Sequence, residues 1–296
     1  MKCLSCNTDK VSQLSSTPVL NIISKWQQSY ELDVKPCFSS TSQAHYICNE
    51  CELEFFMPPS PGDDHFYDSI QEFDWYYEES KWEFKKALDF LNQDDRIVEI
   101  GSGEGRFVEY LKERGYRTVF AIDKNEKAIE KATKKGLIAA TNIHDLGISE
   151  ADVVCSFQVL EHVSEVSAFV SDICNICAVG GKVLIAVPNQ SSFLKYNEEN
   201  VLNSPPHHLT RWTAKSLQAL ELRFPIKLVS IQKEPLAKAH INWFSSTMMK
   251  RLPSNRFISI LAWRGVFPVL CVILKLPFIR NRVQGHSIMA IFERTQ

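Results

Sequence analysis

The sequence predicts an α/β fold, a Rossmann-like parallel sheet with helices on both faces, preceded by a small cysteine-bearing lobe. Three observations predict it. Residues Val98-Glu-Ile-Gly-Ser-Gly-Glu-Gly-Arg-Phe107 read as a buried strand, a glycine turn and a helix start. Apolar runs and amphipathic stretches then alternate to about residue 235, the pattern of repeated strand–helix units. Upstream, Cys3-x-x-Cys6 and Cys48-x-x-Cys51 stand about 40 residues apart, the paired knuckles of a tetrahedral thiolate site. The chain divides into a zinc-ribbon lobe over 1–60, a linker and capping helix over 61–95, and a core over 96–235. A helical insertion over 236–284 and a final core strand over 285–296 follow.

In the first segment, Cys3, Cys6, Cys48 and Cys51 offer four thiolates. Such a set closes the coordination sphere of zinc and makes it structural. The long gap between the knuckles adds little closure entropy. Cys37 and His45 are alternative ligands, and four free thiols are the other reading. Tyr46-Ile-Cys48 and Leu53-Glu-Phe-Phe56 read as a hairpin around the second knuckle. Met57-Pro-Pro-Ser-Pro-Gly62 is a breaker run and reads as a linker. Phe66-Tyr-Asp68 and Phe73-Asp-Trp-Tyr-Tyr77 form an aromatic patch that packs on the core or covers its site. A helix over 78–91 offers Trp82, Phe84, Leu88 and Leu91 to the sheet.

In the core, Ile97, Val98 and Ile100 form an apolar run without alternation, as suits a central strand covered on both faces. Gly101, Gly103 and Gly105 follow at every second position, where a ligand can approach the backbone. The dinucleotide fingerprint wants a third glycine where Arg106 stands, so it fails. Glu99 places a carboxylate at the strand end, which repels a pyrophosphate and suits a ligand carrying an ammonium and a sulfonium. Thr118-Val-Phe-Ala-Ile-Asp123 is strand two. Asp123 falls about 20 residues past the glycines, the place of a ribose-binding acid in nucleoside-binding α/β folds. Glu126 to Lys135 is a helix with Ala128, Ile129 and Ala132 inward, Leu137 to Thr141 strand three, and Ala151 to Phe157 strand four. Ser164 reads as the cap of the next helix, with Cys174 and Cys177 as core residues on it. Gly180 to Asn189 is strand five, Thr213 opens a further helix with Leu217, Leu220 and Leu222 apolar, and Ile226 to Gln232 is strand six.

This ordered set resembles the class I S-adenosylmethionine (SAM)-dependent methyltransferases, in particular those with a Leu-Glu-His-Val signature after strand four, here Leu160-Glu-His-Val163. The resemblance is firm from about Lys81 to Val187 and looser elsewhere. It implies a seven-stranded sheet of order 3-2-1-4-5-7-6, with Gly285 to Phe292 as the antiparallel last strand. It implies that Glu99, Gly101, Gly103 and Gly105 hold the methionyl end of SAM and Asp123 the ribose. Asn142 and Ile143 occupy the adenine-contacting turn, though the usual acid is absent there. Gln158, Glu161 and His162 lie over the methyl donor. His162 is a base, its ordinary pKa being near neutrality, or a prop for its loop. Related quinone O-methyltransferases hold a metal near here; Gln158 replaces one carboxylate, so no metal is assigned. The Pro205-Pro-His-His208 element implies that His207 and His208 edge the acceptor pocket or staple their loop.

Between Pro235 and Phe292 there is no Asp or Glu, while Lys238, Lys250, Arg251, Arg256, Arg264, Lys275, Arg280 and Arg282 fall there. Residues 257–279 are apolar but carry Arg264 and Lys275, which argues against a membrane span. The stretch reads as a helix lying in an anionic interface, with contact through 250–282, or as a cap over the pocket. Over the whole chain of 296 residues the net charge is −2, giving no field that would recruit nucleic acid. The start lacks a secretory apolar run. With nine cysteines, this predicts a reducing, cytoplasmic location, with membrane association through the insertion. The resemblance points to a small or lipid-linked acceptor, a sugar or surface-polysaccharide precursor. An rRNA or tRNA base is the alternative, and a non-enzymatic zinc-ribbon adaptor with a vestigial SAM fold the third reading.

Overall fold

The computed structural model describes residues 1–73, 81–197, 200–253 and 255–296. Part of the predicted aromatic patch and the first residues of the predicted helix over 78–91 lie outside them.

The first 60 residues contain β1 (Val11–Pro18), α1 (Val19–Tyr30), β2 (Ser42–Cys48) and β3 (Glu54–Met57). The hairpin read around the second knuckle is β2–β3, antiparallel with Tyr46 opposite Phe55. β1 and α1 carry no clean period in the sequence. β1 is an edge strand of small polar residues, and α1 is held by Trp26, which is fully buried and donates its indole N–H to the Pro205 carbonyl. The run after β3 does not behave as a free linker: Ser60 is buried and the Gly62 N–H donates to the Pro206 carbonyl. α2 (Asp64–Ile70), capped by Asp63, and α3 (Trp82–Ala87) follow.

The core comprises β4 (Ile97–Ile100), α4 (Arg106–Lys112), β5 (Val119–Ile122), α5 (Glu126–Lys134), β6 (Ala139–Ala140) and β7 (Ala151–Phe157). It continues with α6 (Val166–Ile176), β8 (Cys177–Pro188), β9 (Thr210–Arg211), α7 (Ala214–Gln218) and β10 (Ile226–Pro235). The insertion holds α8 (Ile241–Lys250), α9 (Arg256–Leu261), α10 (Phe267–Ile273) and α11 (Pro277–Arg280), and β11 (Gln284–Arg294) ends the fold. The main sheet has seven strands in the order β10-β11-β8-β7-β4-β5-β6. β11 runs antiparallel to both of its neighbours and the remaining pairs are parallel. This is the predicted order.

The sheet separates two apolar layers. Ile97, Val153, Cys155, Leu184 and Ala186 face Phe84, Phe107 and Leu111. Val98, Val154, Val183 and Ile185 face the layer of Val166, Val170, Ile173, Trp212 and Leu217. Each buried Val, Leu or Phe contributes about 1.5–3 kcal/mol. The second layer also contains Cys3, Cys48, Cys51, Leu53 and Phe55. The cysteine-bearing segment therefore shares a core with the sheet. A second, four-stranded sheet of order β1-β2-β3-β9 takes its last strand from the loop before α7.

Several local readings need correction. α6 is not capped by Ser164: its cap position is Glu165, with no side-chain bond. Cys177 opens β8 rather than extending the helix, although both Cys174 and Cys177 are buried core residues. Strand three shrinks to two residues, and Leu222 is 72% exposed at the end of a short helical turn.

The four thiols of Cys3, Cys6, Cys48 and Cys51 lie together, with Sγ–Sγ distances of 3.5 Å for Cys3–Cys51 and 3.6 Å for Cys6–Cys48. A tetrahedron of Zn–S bonds about 2.3 Å long sets its sulfurs roughly 3.8 Å apart, so the cluster fits zinc with little movement. Cys37 lies outside the cluster and His45 pairs with Glu54. Metal held here would contribute directly to folding. We expect Cys48→Ala to lose bound zinc and to lower the melting temperature by roughly 10 °C; unchanged zinc content and melting would refute the metal assignment.

Candidate active site

A cavity of about 1020 Å³ opens at the carboxyl ends of β4, β5 and β7, where open α/β sheets bind ligands. Gly101 and Gly103 line its floor with φ of +76° and +54°. A Cβ on Gly101 would lie 2.3 Å from Val159 Cγ2, so the turn admits no side chain. Gly105 does not line the cavity; a Cβ there would meet Leu137 Cδ1 at 2.5 Å, so its contribution is the packing of α4.

Asp123 sits opposite the turn. Its Oδ2 accepts from the Gly103 N–H at 2.7 Å and its Oδ1 from the Asn125 N–H at 2.9 Å. Glu99 projects from β4 into the same end and is buried. Burial pushes its carboxyl well above the ordinary value; the Lys81 charge works against this and Asp123 adds to it. Its Oε2 has no hydrogen-bond partner among the described residues. Asn142 and Ile143 are not among the lining residues. Asn142 spends its side-chain oxygen on the His144 N–H, capping its own turn, while Ile143 packs on the core. Lys124 and Asn125 line that side instead.

Gln158 follows β7 in a left-handed conformation, φ 58°. Its amide donates to Glu83 Oε1 at 3.0 Å and Ser287 Oγ at 3.3 Å, tying α3 to β11. Glu161 and His162 come next. Burial raises Glu161 to about 8, and its Oε2 lacks a partner. Burial lowers His162 to about 4 and outweighs the hydrogen bond to the His207 carbonyl. His207 and His208 are buried, and desolvation holds both imidazoles well below their ordinary value. The structure gathers these three histidines: their rings stand 4.5 to 4.9 Å apart.

Tyr67, from the aromatic patch read as a possible cover, lines the cavity, while sequence reading missed Lys81, Asn203, His240, Trp243 and His286. His240 and Trp243 lie at and beyond the start of α8, so the insertion forms one wall of the cavity. Their presence in an otherwise basic, apolar stretch was the available signal. The histidine cluster is connected to the cysteine-bearing segment through buried polar groups. His208 Nδ1 bonds Asn203 Oδ1 at 3.1 Å, Asn203 Nδ2 donates to Gln190 Oε1 at 3.1 Å, and Gln190 Nε2 donates to Glu54 at 3.3 Å. Glu54 also meets His45 at 3.0 Å and Arg211 Nη1 at 3.3 Å. Burial opposes its ionisation, but these two partners prevail and hold its carboxyl below the ordinary value.

A family profile described as "Methyltransferase domain" matches residues 75–253. The ubiquinone biosynthesis O-methyltransferase of Caulobacter sp. (strain K31) is 29% identical over 131 residues, 40% of this chain and 52% of that protein. A probable S-adenosylmethionine-dependent methyltransferase of Mycolicibacterium smegmatis (strain ATCC 700084 / mc(2)155) is 29% identical over 129 residues, 42% of this chain and 49% of that protein. The chain thus spans about half the length of the curated relatives it matches. A SAM-dependent methyltransferase structure from Archaeoglobus fulgidus superposes with a TM-score of 0.50, at 19% identity, covering 78% of this chain and all of that one. That likeness is one of fold.

Glu99 yields a stability test. With its folded pKa raised, the folded state keeps a proton that the unfolded chain releases above about pH 4.3. Stability from this group is complete below that pH and declines as pH rises towards the folded value. Each proton so held contributes a slope of about 1.4 kcal/mol per pH unit. Glu99→Gln is expected to flatten the fall in denaturant-measured stability as pH rises above the unfolded value of about 4.3 and to stabilise the ligand-free protein. An unchanged slope would contradict the buried, protonated carboxyl.

Proposed function

Because this chain belongs to the methyltransferase-domain family, we propose that it is a SAM-dependent methyltransferase whose acceptor is a small or lipid-linked glycan precursor. The observation that carries the SAM reading is Glu99: a buried carboxylate oxygen without a partner, beside a glycine turn that excludes side chains and across from Asp123. A ligand ammonium would complete that carboxylate; a pyrophosphate would be repelled. Glu99, Gly101 and Gly103 hold the methionyl end and Asp123 the ribose, exchanging its hold on the turn for hydroxyl contacts. SAM, when bound, supplies an electrophilic methyl group on a cationic sulfur.

The protein's own share of catalysis is positioning and exclusion of water. Gln158, fixed between Glu83 and Ser287, keeps the strand-end loop in place. His162, His207 and His208 face the cavity wall where the acceptor oxygen rests. Around that wall stand Tyr67, Trp243, Asn197 and Asn200. Aromatic faces and amide groups together suit a polyhydroxylated acceptor, offering flat apolar contact and paired donors and acceptors. The insertion supports a lipid-linked form of it. Leu261, Val269, Val272 and Phe278 are exposed on a segment without acidic residues, and Lys250 lines the cavity. Such a surface fits an anionic interface. No helix among the described residues is long and apolar enough to cross a membrane.

Asp123→Ala and Glu99→Gln should each weaken SAM binding by more than about tenfold, the cost of about one lost charge-assisted contact. Binding should also release a proton from Glu99 wherever the free protein holds that carboxyl protonated, read by calorimetry in buffers of different ionisation enthalpy. Unchanged affinity in both variants would overturn the cofactor assignment. Labelled methyl from SAM, supplied with a fractionated cell extract, should appear in the lipid or soluble-glycan fraction, whereas label in RNA would overturn the acceptor class.

A further inference from the structure

The three histidines in the cavity wall are arranged in a way that loop stapling does not require. His162 Nδ1 meets the His207 carbonyl, His207 Nδ1 the Leu202 carbonyl at 2.9 Å, and His208 Nδ1 the Asn203 side-chain oxygen at 3.1 Å. Asn203 is oriented by its own donation to Gln190, which puts its oxygen toward the ring. Carbonyl and amide oxygens only accept, so each Nδ1 carries the proton. A neutral imidazole protonated there has its lone pair on Nε2. Three separate chain oxygens thus select the same tautomer in three rings. Metal-bound imidazoles are oriented in this manner, the distal N–H held by a carbonyl so that the other nitrogen keeps its lone pair for the ion.

One ring nitrogen from each histidine lies within 4.8 Å of those of the other two. Bonds of about 2.0–2.1 Å to an ion would draw tetrahedrally placed nitrogens to roughly 3.3 Å apart, a shift within reach of small ring rotations. A second observation concerns charge. A divalent ion among neutral rings needs a nearby anion. Glu161 stands beside the cluster with Oε1 3.8 Å from His162 Nε2, is 1% exposed, and has no partner for its Oε2. All four residues line the cavity.

We propose that His162, His207 and His208 form a three-imidazole site for a divalent first-row transition-metal ion, with Glu161 as counter-charge and an open position facing the cavity. Nitrogen donors of this kind suit zinc, iron, nickel or copper rather than magnesium or calcium. The site is distinct from the four-thiolate cluster, which is closed. Its role in the reaction rests on the proposed methyl transfer: an acceptor hydroxyl at the open position would have its proton made more acidic. Metal binding itself does not rest on that reading.

The test uses the full-length protein as purified, equilibrated with excess zinc and freed of unbound ion. Elemental analysis should give about two zinc ions per chain, one for each site. With cobalt(II) in place of zinc, the thiolate site gives intense sulfur-to-metal charge-transfer bands, and the histidine site adds weaker ligand-field bands without them. His208→Gln should bring the ratio down to about one while leaving the thiolate bands intact. Asn203→Ala keeps three imidazoles but releases one ring, and should weaken the second ion by roughly 10–100-fold. A ratio of one in the unaltered protein, with only thiolate bands, would overturn the proposal. So would a ratio of two that persists in both variants. Should a variant not fold, the ratio and cobalt spectrum of the unaltered protein decide. A second ion bound by protein that does not bind SAM would refute the methyl-transfer reading and leave this one standing.

Discussion

The structure turns on one half-buried carboxylate, Glu54. It lies on β3, the strand that joins the cysteine-bearing segment to β9, and it takes Arg211, His45 and Gln190 as partners at once. Arg211 in turn donates to the Asn203 carbonyl at 2.7 Å and to Ser204 Oγ at 3.1 Å. The loop carrying His207 and His208 is therefore positioned from the hairpin of the cysteine-bearing segment as well as from the main sheet. A buried network of this kind is stable only when every member is satisfied, and removing one partner leaves an uncompensated charge. Its cost to the molecule is rigidity, and its return is the fixed placement of the site's far wall. The four thiols stand behind it: zinc at their centre would stiffen the hairpin that Glu54 belongs to.

The cavity's two ends follow opposite electrostatic rules. At the glycine turn, Glu99 is a desolvated acid, with Asp123 held in place by two backbone donors. At the histidine wall, burial keeps the imidazoles neutral and their tautomers are chosen by neighbouring carbonyls. Lys81 lies between the two ends and its charge acts on both Glu99 and Glu161.

Much of the fold was legible because its signals are local. Val98, Val154 and Val183 belong to runs whose period and length identify buried strands, and the glycine turn needs no distant partner to be read. The Cys3, Cys6, Cys48 and Cys51 spacing likewise declares its geometry. Other features have no local signal. Nothing around Glu54, Gln190, Asn203 or Arg211 says that these four residues meet, because their contact depends on the β3–β9 pairing. Asn142 was read by position along the chain, yet its side chain serves its own turn, the common habit of Asn at a cap. Trp26 likewise carries no local signal, since its burial depends on the distant Pro205 carbonyl that accepts from its indole.

The insertion leaves the sheet at the end of β10 and returns at the start of β11, where Pro235 and Gln284 face each other across one rung of the ladder. Its two ends are thus held together by the sheet itself. Closing a loop across such a rung depends only weakly on its length, about 0.6 kcal/mol for each doubling. The segment that supplies His240 and Trp243 to the cavity can accordingly be shortened, extended or exchanged with little strain on the strands beneath it. That wall of the cavity is in this sense a detachable attribute of the fold, built on a hairpin connection that the sheet itself keeps shut.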